Sequence, residues 1–483
     1  MTLAVRLLGR ARRWWRGDVV DAVTDPAALV PGAAALPPDP AGVRVARRVW
    51  ELRPDLRAAF PLGLTPAQRP LYANWLLTHG AADFGLTPAA VFGFLHHLAA
   101  DTSHGLRDSY LWQPAWQRAV PDAFSRRGWQ ELRRWLANEY GVRGRWLRTA
   151  RRPEDVALTD ESRLGVNVLT HFRVPCGVRE EAVQIAAALE AAGVAVARRD
   201  VPAGFPCDCD DPAEYADRER YGVTFAKLGA GRGLDPVFPL AGLHPRPGVY
   251  RVAGWSWELE RFPADVVARA TLADEVWTPS DFCTAAVRRV LTDRPVLTMR
   301  PGLATPTFPR LPREHFGLRP GRWVVLFAFD AGSGFGRKNP LALVRAFRRA
   351  FAANEPADLV LKVSRGAAHP AAFAELKRAA AACGAVVVDR VMSRAESFAL
   401  MGCCDVYASL HRSEGFGLTV AEAMLLGKPV VATDYSATAE FLTDEVGLPV
   451  RYRMVPVGPD QPPYPADAEW AEPDEGHAAD RLR

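Results

Sequence analysis

HRSEGFGLTVAEAMLLGKPVVATDYSATAEFL, residues His411 to Leu442, reads as loop, helix, turn, strand and loop. Gly415 and Gly417 bracket Phe416, so the backbone there can take turns closed to other residues and approach a ligand closely. Leu418 to Leu426 runs apolar at helical spacing, and Gly427 followed by Pro429 stops it. Val430 and Val431 open a short apolar run of the kind that forms a buried parallel strand. A glycine loop that opens a helix after a strand is an anion site, because free backbone N–H groups and the helix dipole point outward there. Two glutamates, Glu414 and Glu422, frame the loop with seven residues between them. A carboxylate accepts two hydroxyl hydrogen bonds at once, which suits the vicinal diol of a ribose or hexose. For Glu422 a second reading stays open: Thr419-Val-Ala-Glu422 fits a capping box, with the glutamate serving only the helix start.

Upstream, the pattern repeats. Trp323 to Phe329 reads as a strand, and Asp330-Ala-Gly-Ser-Gly-Phe-Gly-Arg-Lys-Asn as a glycine-rich loop before a helix opened by Pro340. Gly332, Gly334 and Gly336 lack the dinucleotide spacing, and no Gly-Lys-Ser/Thr follows to make a Walker loop. The loop puts Arg337 and Lys338 near a helix N-terminus, where cations are unfavourable unless an anion sits beside them. That is the physical case for a diphosphate site; two solvated charges are the alternative. Asp358–Ser364, Ala385–Arg390 and Asp405–Leu410 read as strands, with helices from Pro370 and Arg394 between them. Regular alternation predicts a parallel, doubly wound sheet. The loop Arg390-Val391-Met392-Ser393 is placed to pack a nucleobase, or is a plain connection.

A similar βαβ pattern begins near Leu164 and runs to about residue 312: a strand to Phe172, a helix over Arg179–Ala192, then strands at Val194–Val201, Gly248–Trp255, Glu275–Ser280 and Pro295–Gly302 with helices at Pro263–Ala273 and Asp281–Leu291. The expected organisation is a basic N-terminus and linker (1–42), a helical accessory region (43–155), two α/β domains (160–312 and 316–455) and a Pro-rich tail (456–483). In the helical region Ala59, Pro61, Trp75 and Leu76 recur sixty residues later as Ala119, Pro121, Trp135 and Leu136, which suggests two copies of one helical hairpin with caps at Thr65 and Ser125. His96, His97 and His104 are read as helix-surface residues.

Composition narrows the class. With 483 residues, 49% hydrophobic and 24% charged, the chain has room for several domains. A net charge of +5 is too mild to indicate nucleic acid, and no apolar run reaches the roughly 20 residues that span a bilayer. The seven cysteines are odd in number and contain no C-x-x-C pair, which fits a reduced, cytoplasmic chain with Cys403 and Cys404 buried rather than bridged. Cys207-Asp-Cys-Asp-Asp211 contains D-x-D, but the Pro/Gly turn before it favours an acidic loop over a metal site, so no metal is expected. Residues 1–16 carry five arginines and no acid, and would either lie on an anionic membrane surface or form a frayed basic terminus. Of only five lysines, Lys338, Lys362 and Lys428 fall in the region of the glycine loops.

Taken together, Glu414 and Glu422 in their seven-residue spacing, Gly-Lys-Pro-Val-Val-Ala-Thr (427–433), Arg337-Lys-Asn-Pro340, Gly254-Trp-Ser-Trp-Glu-Leu-Glu-Arg-Phe-Pro263 and Asp274-Glu-Val-Trp-Thr-Pro-Ser280 resemble the E-x(7)-E retaining nucleotide-sugar glycosyltransferases, a glycosyltransferase family 4-like group that includes mannosyltransferase-like bacterial enzymes of polysaccharide biosynthesis. The resemblance covers roughly 160–475. It implies the α/β GT-B fold, two Rossmann-like doubly wound domains facing a cleft, here preceded by a helical extension, with no cofactor or metal. It implies a GDP- or UDP-linked hexose donor and a glycan or lipid-linked acceptor in the cytoplasm, peripheral at the inner membrane face if residues 1–16 lie on the membrane rather than fray. By the same resemblance Lys338 contacts the donor diphosphate, Glu422 the ribose and Glu414 the sugar hydroxyls, and these three are the catalytic candidates. Gly415, Phe416, Gly417 and Leu418 offer backbone N–H groups, Val391 and Met392 line the base, and Arg337 and Lys362 complete the donor side. Glu258 and Trp257 face the acceptor. Relatives carry an arginine near Asp330 that pairs with the diphosphate lysine, a place Arg337 would take. They also continue past the point corresponding to Arg483 into a helix that ties the domains together. The alternative is therefore a truncated, non-catalytic GT-B protein that binds a nucleotide sugar or acts as a scaffold.

Overall fold

The computed structural model describes residues 25–158, 164–201, 215–228, 240–244, 246–264, 266–267 and 272–483. The basic residues 1–16, the acidic loop Cys207–Asp211 and part of the helix expected over Pro263–Ala273 lie outside them. The fold is α/β. Two six-stranded sheets follow a helical region, in the strand orders β2-β1-β3-β4-β5-β6 and β12-β11-β10-β7-β8-β9. The first comprises β1 (Gly165–Thr170), β2 (Ala195–Asp200), β3 (Val223–Ala226), β4 (Tyr250–Gly254), β5 (Glu275–Thr278) and β6 (Val296–Thr298); the second comprises β7 (Trp323–Asp330), β8 (Ala357–Ser364), β9 (Val386–Asp389), β10 (Val406–Ser409), β11 (Val430–Thr433) and β12 (Leu448–Val450). Two compact units divide the chain: the described parts of Met1–Val174, Ala192–Phe225 and Gly233–Tyr250 form one, and those of Pro175–Ala191, Ala226–Arg232 and Arg251–Arg483 form the other.

The first unit is largely helical. It contains α1 (Pro40–Leu52), α2 (Pro54–Ala59), α3 (Arg69–Trp75), α4 (Pro88–Ala100), α5 (His104–Trp112), α6 (Pro114–Ala119), α7 (Arg126–Tyr140) and α8 (Arg145–Thr149). The sixty-residue echo is structural. Helices α2 and α6 are each six residues long and open on Pro54 and Pro114. Trp50 Nε1 donates to the Phe60 carbonyl at 3.1 Å, and sixty residues on the Tyr110 hydroxyl donates to the Val120 carbonyl at 2.7 Å. A large ring thus ties each α-turn connection to the helix before it. The caps differ. Ser125 Oγ accepts from Gly128 N at 2.9 Å, as expected, but the Thr65 hydroxyl donates to the Leu62 carbonyl and α3 starts four residues later without a side-chain cap. His96 and His97 are exposed, whereas His104 is buried, with Nδ1 at 2.9 Å from Asp217 and Nε2 at 3.2 Å from Asp108. Its expected surface position is corrected by two carboxylates that hold it charged: burial lowers its pKa, but Asp108 and Asp217 outweigh that and raise it to about 9.

In the second unit every pair of the β7–β12 sheet is parallel. The apolar run of β7 aligns Val325 with Leu359 of β8 on one side and with Val406 of β10 on the other. Those residues join α11 (Pro340–Ala350), α13 (Arg394–Cys403) and α14 (Leu418–Leu425) in one core. Strand order reverses between β7 and β10, so the loops leaving their C-terminal ends diverge to opposite faces and open a crevice. Those loops are 331–339 and 410–417. The segment expected as a Pro-rich tail instead builds structure. β13 (Tyr452–Pro456) pairs antiparallel with β14 (Glu469–Pro473), and Trp470 packs with Trp255 and Trp257. A last helix, α15 (Glu475–Leu482), buries Ala478, Ala479 and Leu482 in the core of the second sheet. Lys428 is likewise not part of a glycine-loop site: its ammonium donates to the Gly402 and Cys404 carbonyls, capping the end of α13.

Candidate active site

The loop after β7 winds into a helical turn, Phe335–Lys338, ended by Asn339 in the left-handed region at φ 52°. Arg337 and Lys338 therefore stand in the last turn of one helix, where cations are favourable, directly before the next. Their anion is Glu414 from the loop after β10. Lys338 Nζ lies 2.5 Å from Glu414 Oε1, and Arg337 Nη1 lies 2.9 Å from Oε2. Arg337 is buried and also donates to the Ser333 and Ser413 carbonyls at 2.8 Å each, so two solvated charges are not what this loop holds. Burial pushes the Glu414 carboxyl up, but Lys338 and then Arg337 outweigh it and hold it well below the usual carboxylate range. Burial lowers the Lys338 ammonium, with Glu414 opposing.

Around this pair the predicted residues gather. Glu258, on the loop after β4, accepts from the Tyr464 hydroxyl at 2.9 Å and lies 3.7 Å from Arg337. Its backbone carbonyl accepts from Ser413 Oγ. Trp257 is buried against Phe262 and Tyr464, and its Nε1 donates to the Arg261 carbonyl at 3.0 Å. The Gly415 carbonyl accepts from Ser280 Oγ at 2.7 Å and from Cys283 Sγ at 3.3 Å. Phe416 packs on Phe441 with ring centroids 5.4 Å apart. Gly417 needs to be glycine: its φ is 89°, and a Cβ there would meet Thr438 Cγ2 at 2.5 Å. As the N-cap of α14 it has no side chain, so the first N–H groups of that helix, from Leu418 on, lack a side-chain cap.

Glu422 belongs to a second cluster. It is not the N3 member of a capping box, because α14 starts at Leu418 and its cap is Gly417 rather than Thr419. Its carboxylate accepts from Arg394 Nη1 at 2.7 Å, and the same nitrogen lies 3.1 Å from Glu180 at the start of α9 (Gly177–Ala191). Burial raises the Glu422 carboxyl, with Arg394 opposing. The structure thus joins Glu414 to Arg337, Lys338 and Glu258, and joins Glu422 to Arg394 instead. Lys362 and the Val391–Met392 loop stand apart from both. Lys362 is buried at the end of β8 beside Ser364, and burial, reinforced by Arg390, lowers its ammonium to about 8. Val391 is half exposed and Met392 buried.

Four residues escaped the sequence. Arg394 is a cation on the first residue of a helix, the same signal that flagged Arg337 and Lys338, and applying it there would have found this residue. Arg365, left-handed at φ 56°, donates from Nε to Asp330 at 3.0 Å, so the arginine beside Asp330 is Arg365 while Arg337 turns to Glu414. Tyr464 lay in the presumed tail. His411 is fully buried between Ser409 Oγ at 3.1 Å and Thr438 Oγ1 at 3.0 Å, and burial lowers it to about 4. Among the described residues no cluster of three His, Cys, Asp or Glu side chains is arranged to hold a metal ion.

Residues 328–458, from the end of β7 through both glycine loops, match the family described as glycosyl transferases group 1. This segment is a glycosyltransferase domain. A putative glycosyltransferase of Acidianus filamentous virus 1 is 50% identical over 44 residues, and the match spans 9% of this chain and 14% of that curated relative. Among solved structures, Anabaena HepE in complex with UDP and glucose aligns at TM-score 0.43 and 16% identity over 60% of this chain and 86% of that one. Sucrose-phosphate synthase from Thermosynechococcus elongatus aligns at TM-score 0.47 and 17% identity over 66% and 88%.

Proposed function

We propose that the protein is a retaining glycosyltransferase that moves a hexose from a GDP- or UDP-linked donor to a glycan or lipid-linked acceptor. The observation that carries this reading is the ionised Glu414 carboxylate, held by Lys338 and Arg337 in the crevice where strand order reverses, beside the uncapped start of α14. A helix start and a lysine together take a diphosphate; two glutamates eight positions apart take sugar and ribose hydroxyls. In this reading the donor diphosphate takes over the Lys338 ammonium, which leaves Glu414 free to bind the hexose while Arg337 keeps it ionised. Glu422 holds the ribose diol, oriented by Arg394. The bond from the anomeric carbon to the leaving phosphate oxygen breaks as the acceptor oxygen bonds the same face of that carbon, and the acceptor proton passes to the departing phosphate. The chain's residues supply position and charge rather than a covalent partner.

Thermal-shift binding against UDP-, GDP- and ADP-sugars tests the site. One nucleotide should stabilise the wild type, and Lys338→Ala and Glu422→Ala should lose most of that shift while remaining folded. Proton NMR of the product should show the donor's anomeric configuration. No shift with any nucleotide would favour a non-catalytic protein, and an inverted product would sink the retaining assignment.

A further inference from the structure

The helical region repeats one hairpin, and its two copies end differently. In the first, Ala73 and Leu76 are buried in one cluster with Val91 and Leu95 of the thirteen-residue α4. In the second, the position sixty residues after Ala73 is Arg133, and the helix following α7 is α8, only five residues long. Leu136, the counterpart of Leu76, stays buried with Leu147 of α8, but the surface of α7 around Arg133 and Arg134 is open. It forms a cavity of about 620 Å3 rimmed by Arg133, Arg134, Arg143 and Arg148, with Val142 and Leu147 in its lining.

The rim is built and unneutralised. Arg133 Nη1 donates to the Arg148 carbonyl at 2.7 Å, and Arg148 Nη1 donates to the Arg143 carbonyl at 3.1 Å, so backbone oxygens orient the guanidinium groups while leaving their charge uncompensated. Between Arg126 and Arg148 the sequence has seven arginines against two glutamates, Glu131 and Glu139. Glu131 pairs with Arg127, outside the cavity. Among the described residues none of the four rim arginines has a carboxylate partner. Guanidinium forks match phosphate oxygens, and an apolar floor beneath them matches the glycerol and first methylenes of a lipid rather than a free ion. Nucleic acid fits less well. Trp129 and Trp146 are buried, and Trp135 and Tyr140 pack on Trp116, so no free ring is offered for base stacking.

We propose that this cavity is a docking site for the phosphate headgroup of an anionic phospholipid, which holds the helical region against a membrane surface independently of the nucleotide-sugar site. Flotation of the full chain with vesicles tests it. Vesicles of equal parts phosphatidylcholine and phosphatidylglycerol should carry the protein, vesicles of phosphatidylcholine alone should not, and raising the salt should release it. At about fivefold per basic residue near an anionic surface, Arg134→Ala/Arg143→Ala should lower the partition coefficient about twenty-five-fold. Arg134→Lys/Arg143→Lys should lose much less, and a circular dichroism spectrum equal to wild type shows that each variant is folded. Arg126→Ala/Arg127→Ala, outside the cavity, should lose less than the cavity pair. Unchanged flotation of the Ala pair would overturn the proposal. So would stabilisation by inorganic pyrophosphate without vesicle binding, which would mark a site for a soluble phosphate compound. Tighter retention on duplex DNA than on vesicles would overturn it as well.

Discussion

Glu414 and Glu422 are both 8% exposed and both sit at the glycine loop after β10, yet their carboxyls are driven in opposite directions. Burial raises both. Glu414 has two cations within 2.9 Å and ends well below its ordinary range; Glu422 has one arginine, shared with Glu180, and ends above it. The number of partners, not exposure, decides the charge state. One glutamate is thereby fixed as an anion. The other, among the described residues, has a single arginine set against its burial, so its charge depends on that one partner.

The sharpest way to break the comparison is to neutralise each carboxylate in turn. Glu414→Gln leaves the buried Arg337 and Lys338 without their counter-ion, and breaking a buried pair from one side costs about 3–5 kcal/mol. Chemical denaturation should show a loss of that order, and turnover should fall to background even where the protein stays folded. Glu422→Gln keeps an amide oxygen for Arg394 and should cost about 1 kcal/mol, with the damage appearing in donor KM. Equal losses for the two would mean that partner number is not what separates them.

Arg394 tests the same point with a smaller effect. Arg394→Ala removes the one cation paired with Glu422 among the described residues, so burial and the nearby Glu180 act unopposed on that carboxyl and its pKa should rise further. If Glu422 holds the donor ribose as proposed, its protonation weakens donor binding, and the acid limb of the kcat/KM profile should move to higher pH in Arg394→Ala and disappear in Glu422→Gln. A limb that stays in place in both variants would assign it to another group. Glu414, held low, gives no limb in this window.

How far this could be read beforehand follows from the kind of signal involved. The alternation of apolar runs with Pro- and Gly-punctuated helices was enough for β7 to β11 and the helices between them, because each is a local pattern. The same held for the sixty-residue echo, where Pro54 and Pro114 open matching helices. β13 and β14 were missed because the exposed residues of β13 and the prolines between the strands look like a tail, whereas Ala468 and Trp470 are buried with Trp255 and Trp257 and Glu472 accepts from Arg412. The charged candidates Arg337, Lys338 and Glu414 could be named from the glycine loops. Which cation meets which carboxylate could not, since Arg337, Arg365 and Arg394 are equivalent in sequence, and their partners Glu414, Asp330 and Glu422 are chosen by tertiary packing.

His411 offers the smallest and most specific test, because it holds the Glu414 side of the comparison in place. It bridges Ser409 at the end of β10 to Thr438, whose methyl lies where a side chain at Gly417 would need to be. Burial keeps it neutral, with a folded pKa of about 4 against an ordinary value of 6.5. The unfolded chain therefore binds a proton first as pH falls, so this residue's contribution to stability is whole above pH 6.5 and is lost progressively toward pH 4. The shift corresponds to a loss on the order of 3 kcal/mol across that window. His411→Asn retains polar atoms for Ser409 and Thr438 but cannot titrate. Its urea midpoint should be lower than wild type at neutral pH, and should fall less steeply than wild type between pH 6.5 and 4, because the share of the slope that belongs to His411 is gone. A variant that keeps the full wild-type slope would show that the acid sensitivity of this loop lies with another group.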